Sequence, residues 1–153
     1  MIKLVLVVGV LGLSACGTSV NGGAPTTGGP SSAAASSGGA VKISIVPTEK
    51  GKVLFGPTGH ALYTYQPDTA RSSTCIGKCA RNWPPLVGTP DPGAGLSASE
   101  FGTITRSDGA RQITYNGHPL YYFGKDKAAI NMFGDSIAGV WHLAKVDDAG
   151  AAH

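Results

Sequence analysis

From residue 41 to residue 146, apolar and polar positions alternate over short runs broken by turn residues. No stretch has the three-to-four-residue spacing of a long amphipathic helix. Lys42-Ile43-Ser44-Ile45-Val46 alternates as a strand does. Residues 47–51 form a turn, Val53-Leu54-Phe55 a short apolar strand, and Pro57-Thr58-Gly59 a second turn before the β-rich residues 61–65. Thr103-Ile104-Thr105 and Arg111-Gln112-Ile113-Thr114-Tyr115 flank the hairpin signal Ser107-Asp108-Gly109. Asn116-Gly117 comes next, the strongest short hairpin turn because both central residues tolerate positive φ. Residues 119–123 and 140–146 supply the last two predicted strands. The pattern predicts an all-β fold built from meanders.

The pattern also repeats. Gly59-His60-Ala61-Leu62-Tyr63-Thr64-Tyr65-Gln66-Pro67-Asp68 matches Gly117-His118-Pro119-Leu120-Tyr121-Tyr122-Phe123-Gly124-Lys125-Asp126 at an offset of 58, and Trp83 and Trp141 share that offset. Each copy is small for an independent core. Two tandem repeats, 41–98 and 99–148, are therefore expected to pack as one pseudo-symmetric domain.

Ahead of the repeats the composition changes twice. Residues 1–15 have the layout of a secretory signal: Lys3, an apolar run over residues 4–13, and a small-residue cleavage site. The run is about half of the roughly 20 residues needed to span a bilayer, so removal rather than retention is expected. Leu13-Ser14-Ala15-Cys16 resembles the bacterial lipobox, which implies a diacylglyceryl thioether on Cys16. The bland alternative is a secreted soluble form. Residues 17–40 are mostly Gly, Ser, Ala, Thr and Pro without charge. Such a segment cannot bury a core and is expected to be a tether, with a mean reach of about 25–30 Å for a Gly-rich coil.

Charge and cysteines narrow the picture. The formal net charge of +3 is small, and the basic residues are scattered, so no nucleic-acid stripe is expected. Loose contact with anionic lipid or wall polymer fits them. Of three cysteines, Cys16 is assigned to lipid. Cys75 and Cys79 form the remaining pair, present only in the first copy; their counterparts are Phe133 and Ile137. Outside the cytoplasm a close pair usually oxidises. A redox couple or a metal site are the alternatives, and no c-type haem motif is present. His60 and His118 occupy equivalent positions, and a soft metal site could form if the symmetry joined them. No cofactor is expected.

In each motif strand alternate residues share a face. Tyr63 and Tyr65 then point one way, as do Tyr121 and Phe123, and Leu62 and Leu120 point the other way. Asp68 and Asp126 lie just beyond, placed to accept backbone N–H groups and close a turn. Trp83 and Trp141 are expected as core plugs. The chain resembles bacterial lipoproteins and secreted repeats of unknown function marked by a Tyr-x-(Phe/Trp/Tyr)-x-x-Asp motif. Both copies fit it, and the first also has Cys75, Cys79 and Trp83-Pro84-Pro85-Leu86 in the family's arrangement. The resemblance covers residues 48–146 and implies an extracytoplasmic location without an activity. Residues 127–133 are poorer in acid and Gly than the family's pattern, which disfavours an ion site there.

No nucleophile elbow or phosphate loop is present, and Asp68 and Asp126 have the context of turn residues. The reading is a non-enzymatic, lipid-anchored β-domain on the outer face of the bacterial cell membrane. It would bind or support an envelope protein or a wall polymer. The alternative is a redox or metal-handling accessory of an exported electron-transfer system.

Overall fold

The computed structural model describes residues 38–146. The expected signal peptide, Cys16, residues 17–37 of the expected tether and residues 147–148 of the second repeat lie outside the described residues. The described part holds β1 (Ala40–Thr48), β2 (Gly51–Phe55), β3 (Tyr63–Tyr65), α1 (Lys78–Asn82), β4 (Thr89–Pro92), β5 (Phe101–Thr105), β6 (Arg111–Tyr115), β7 (His118–Pro119) and β8 (Trp141–Leu143). β1 begins at Ala40, one residue before the expected Val41, because the Gly39 carbonyl already accepts the Thr89 N–H.

Three small sheets form, in the orders β2-β1-β4, β3-β8 and β5-β6-β7. β1 and β2 make a hairpin in which Thr48 faces Gly51, and β4 runs parallel to β1. β5, β6 and β7 make the expected meander. The β6–β7 turn is Asn116-Gly117, with Tyr115 opposite His118 and φ of 45° and 81° at the two turn residues. Those angles suit the primed turn that matches strand twist.

Strand alternation divides the interior into two cores. Tyr63, Phe55, Trp83, Tyr121, Phe123, Trp141 and Leu143 are buried in one, with Tyr65 packed against it. Leu62, Leu54, Ile113, Tyr115, Leu120, Leu86 and Ile43 are buried in the other. The faces assigned from the period of two are the faces observed.

The copies are interlocked. Tyr63 and Tyr121 exchange both backbone hydrogen bonds, each at 2.9 Å. β3 of the first copy pairs with β8 of the second, Tyr63 opposite Leu143. Its counterpart at the same offset is the bridge between Tyr121 and Pro85. A backbone ring joins Leu54, Leu62 and Ala144; a second joins Ile113, Leu120 and Leu86. Exchanging the copies maps one set of contacts onto the other, so a pseudo-two-fold axis passes between Tyr63 and Tyr121.

The symmetry breaks where the sequence does. Residues 119–123 are expected as a strand, yet the regular ladder ends at Pro119; beyond it Tyr121 bridges Tyr63 and Pro85, and the Tyr122 and Gly124 N–H groups donate singly to the Pro84 and Asn82 carbonyls, each at 2.8 Å. The facing segment carries Pro84 and Pro85 where β8 carries His142 and Leu143. Proline has no N–H to donate, so a ladder cannot run along it. The helix α1, with Cys79 in its first turn, is an addition to the expected all-strand pattern.

Candidate functional site

The motif residues meet around the pseudo-axis. The Tyr63 hydroxyl donates to Asp126 Oδ2 at 2.6 Å, and the Tyr121 hydroxyl donates to Asp68 Oδ2. Each aspartate therefore closes on the tyrosine of the other copy. The second oxygens do the work expected of turn aspartates. Asp68 Oδ1 accepts the Thr74 N–H and hydroxyl at 2.7 and 2.8 Å, and Asp126 Oδ1 accepts the Phe133 N–H at 3.0 Å. Burial, then the hydrogen bond to Asp126, push the Tyr63 hydroxyl well above its ordinary pKa. Burial, then the bond to Asp68, push Tyr121 up to about 12. Both hydroxyls stay protonated at neutral pH and act as donors.

Between these clasps the aromatic rings form a continuous stack. Tyr65 lies on Trp141 at 4.3 Å, Trp141 on Trp83 at 3.7 Å with an interplanar angle of 2°, and Trp83 on Phe123 at 4.3 Å. Tyr63 and Tyr121 meet Trp83 and Trp141 edge-on at 5.4 and 5.2 Å. Stacked and edge-to-face rings each add about 0.5–1.5 kcal/mol beyond burial. The two tryptophans plug the core, as expected, and do so against each other.

A polar network missed in the sequence joins the first clasp to the second repeat. Arg106 is only 4% exposed. Its Nη1 donates to Ser73 Oγ and Gln112 Oε1, both at 2.6 Å, and its Nη2 to the Cys75 carbonyl at 2.7 Å. Gln112 in turn donates to the Leu120 carbonyl at 2.8 Å. Ser73 also lies 2.6 Å from the Tyr121 oxygen. Because Arg106 donates to Ser73 and Tyr121 donates to Asp68, the Ser73 proton points to Tyr121. The order Arg106, Ser73, Tyr121, Asp68 is thus a one-way chain linking a buried cation to a carboxylate. At the end of β5, Arg106 gives no sequence signal that separates it from the exposed arginines.

Cys75 and Cys79 are joined in a disulfide, with Cys75 buried in the aromatic core and Cys79 packed against it. His60 lies 3.0 Å from the Thr58 hydroxyl through Nδ1, and His118 is exposed. Among the described residues, no group of three or more His, Cys, Asp or Glu side chains could hold a metal ion.

Two clefts open beside the stack. One, of about 380 Å³, is lined by Arg81, Asn82, Trp83, Phe123, Gly124, Lys125 and Ile137. A smaller one, of about 180 Å³, lies between His60, Tyr122, Phe123 and Asp126. Phe123 and Gly124 line both, so the two form one stretch of surface.

A family model described as a secreted repeat of unknown function matches residues 44–87 and again 102–145, which is more than half of the chain and both copies. No curated protein and no solved structure matches the chain. Among the described residues no helix is long and apolar enough to cross a membrane.

Proposed function

We propose, from the premise that this chain belongs to the family of secreted repeats of unknown function, that it is a lipid-anchored envelope domain with a binding or structural role and no catalytic one. The carrying observation is the crossed pair of clasps. Tyr63, Tyr121, Asp68 and Asp126 bond one another and nearby backbone. The motif's chemically capable groups are thereby engaged in holding two copies together. What remains for a partner is the surface, which a lipid on Cys16 joined through a tether over residues 17–40 would keep close to the membrane. An envelope protein or a wall polymer fits this placement.

The anchor is tested by Cys16→Ser. The expected result is loss from the membrane fraction, since two or three acyl chains are needed for stable anchoring. Unchanged membrane retention would remove the anchor from the reading. Crosslinking of the anchored protein followed by pull-down tests the binding role. Capture of one abundant envelope component is expected, and recovery of the protein alone would count against it.

A further inference from the structure

The large apolar side chains that stand exposed among the described residues are Ile76, Ile130 and Phe133. Two of the three lie in one loop, Lys127-Ala128-Ala129-Ile130-Asn131-Met132-Phe133, where Ile130 is 65% and Phe133 66% exposed. The loop is built rather than loose. The Ile130 N–H donates to the Gly59 carbonyl at 3.1 Å, and the Phe133 N–H to Asp126 at 3.0 Å. Ile130 holds φ at +62°, a region that a β-branched residue rarely adopts. Strain of this kind persists where the surroundings enforce it and gathers at functional segments. Here it presents an isoleucine to solvent.

The free charge at the N-terminal flank of the loop is positive, and the carboxylate that follows the loop, Asp135, is neutralised by Lys50 at 2.8 Å. Lys127 begins it and Lys125 precedes it, both exposed, while the intervening Asp126 is buried against Tyr63. Lys125 and Arg81 line the larger cleft together. No carboxylate among the described residues pairs with Arg81, Lys125 or Lys127. Apolar tips bordered by unpaired cations suit a surface that is anionic outside and apolar beneath. That is the interface of a bilayer carrying anionic lipid. A soluble polyanion would use the cations and leave Ile130 and Phe133 in water.

We propose that this rim docks on the anionic surface of the bilayer, with Ile130 and Phe133 entering the interfacial layer and Arg81, Lys125 and Lys127 meeting lipid phosphates. The inference deepens the envelope reading and rests on its location, with the bilayer itself as a binding partner. The anchor then supplies proximity, and the rim fixes which face of the domain lies down.

The test uses the mature chain from residue 16 with Cys16→Ser, so that binding owes nothing to acylation. Co-sedimentation is measured with vesicles of phosphatidylglycerol and phosphatidylcholine, and with phosphatidylcholine alone. Preferential binding to the anionic vesicles is expected. Ile130→Asn with Phe133→Ser should lower partitioning by about tenfold or more, from the lost apolar transfer. Asn accepts positive φ more readily than Ile, so this variant should be no less stable in urea, which separates a docking role from a structural one. Lys125→Gln with Lys127→Gln should weaken binding, as should raised salt. Equal affinity for neutral vesicles, or full binding by the Ile130→Asn, Phe133→Ser variant, would overturn the proposal. So would inorganic polyphosphate binding that this variant retains while the parent ignores vesicles. Failure here leaves the fractionation result for Cys16→Ser in cells unaffected, so the two readings fail separately.

Discussion

The crossed clasps make a prediction that a pair of independently folded repeats would not. Tyr63→Phe removes the hydroxyl that donates to Asp126 and accepts the Gly134 N–H at 3.2 Å. Asp126 is 5% exposed and would keep the Phe133 N–H as its remaining partner. A hydrogen bond to a charged group contributes about 1.5–3 kcal/mol, and an orphaned buried donor costs about 1–3 kcal/mol. The expected loss is about 3 kcal/mol, with relaxation around Gly134 trimming the upper range. For a domain of this size that lowers Tm by about 12 °C. The decisive assay is a set of double-mutant cycles in urea, pairing Tyr→Phe with Asp→Asn. Tyr63 with Asp126, and Tyr121 with Asp68, should show coupling of about 1–2 kcal/mol, whereas Tyr63 with Asp68, and Tyr121 with Asp126, should add to within about 0.5 kcal/mol. Coupling within a copy, with none across copies, would refute the interlocked arrangement.

Other outcomes follow from the same contacts. Tyr121 has its pKa raised by burial and by Asp68 to about 12, above its unfolded value, so its contribution is fully present below pH 10 and is lost as pH rises towards 12. Urea midpoints should fall over that window and do so less steeply in Tyr121→Phe. Arg106→Ala leaves Ser73, Gln112 and the Cys75 carbonyl without their shared donor; a loss of about 3 kcal/mol is expected by urea denaturation. A Cβ at Gly134 would lie 2.8 Å from both Trp83 and Tyr63, so Gly134→Ala should cost about 1–3 kcal/mol from overpacking and perturb the near-ultraviolet circular dichroism. Reducing Cys75–Cys79 releases a five-residue loop worth about 2 kcal/mol in the chain-entropy model. A redox titration should find it resistant to a glutathione-like buffer, and a mid-range potential would instead favour the electron-transfer alternative.

What the sequence disclosed was local or periodic. The period of two assigned Tyr63 and Leu62 to opposite cores, and Asn116-Gly117 announced its turn, because side-chain direction and positive φ are properties of a few adjacent residues. The offset of 58 disclosed the duplication and, through it, the symmetry. Exchange of partners between copies was not legible, since a tyrosine donating within its own copy and one donating across leave the same residues at the same spacing. The broken ladder at residues 119–123 was spelled out by Pro84 and Pro85, but only once they were known to face Tyr121. In the sequence Arg106 is one of the scattered basic residues and Gln112 one polar position of a predicted strand. Their burial depends on Ser73 and Cys75 arriving from more than 30 positions away.

The pseudo-axis between Tyr63 and Tyr121 also bears on how such a chain can be inherited. Each copy contributes the same patch to the contact, which is the arrangement of an isologous homodimer written into one polypeptide. Two single-repeat chains could satisfy each other in this way only above the concentration at which they associate. Joining them removes that dilution limit, because the contact becomes intramolecular. It also ties the halves together in descent: a change at Tyr63 is felt at Asp126, so neither copy can drift or be discarded without the other.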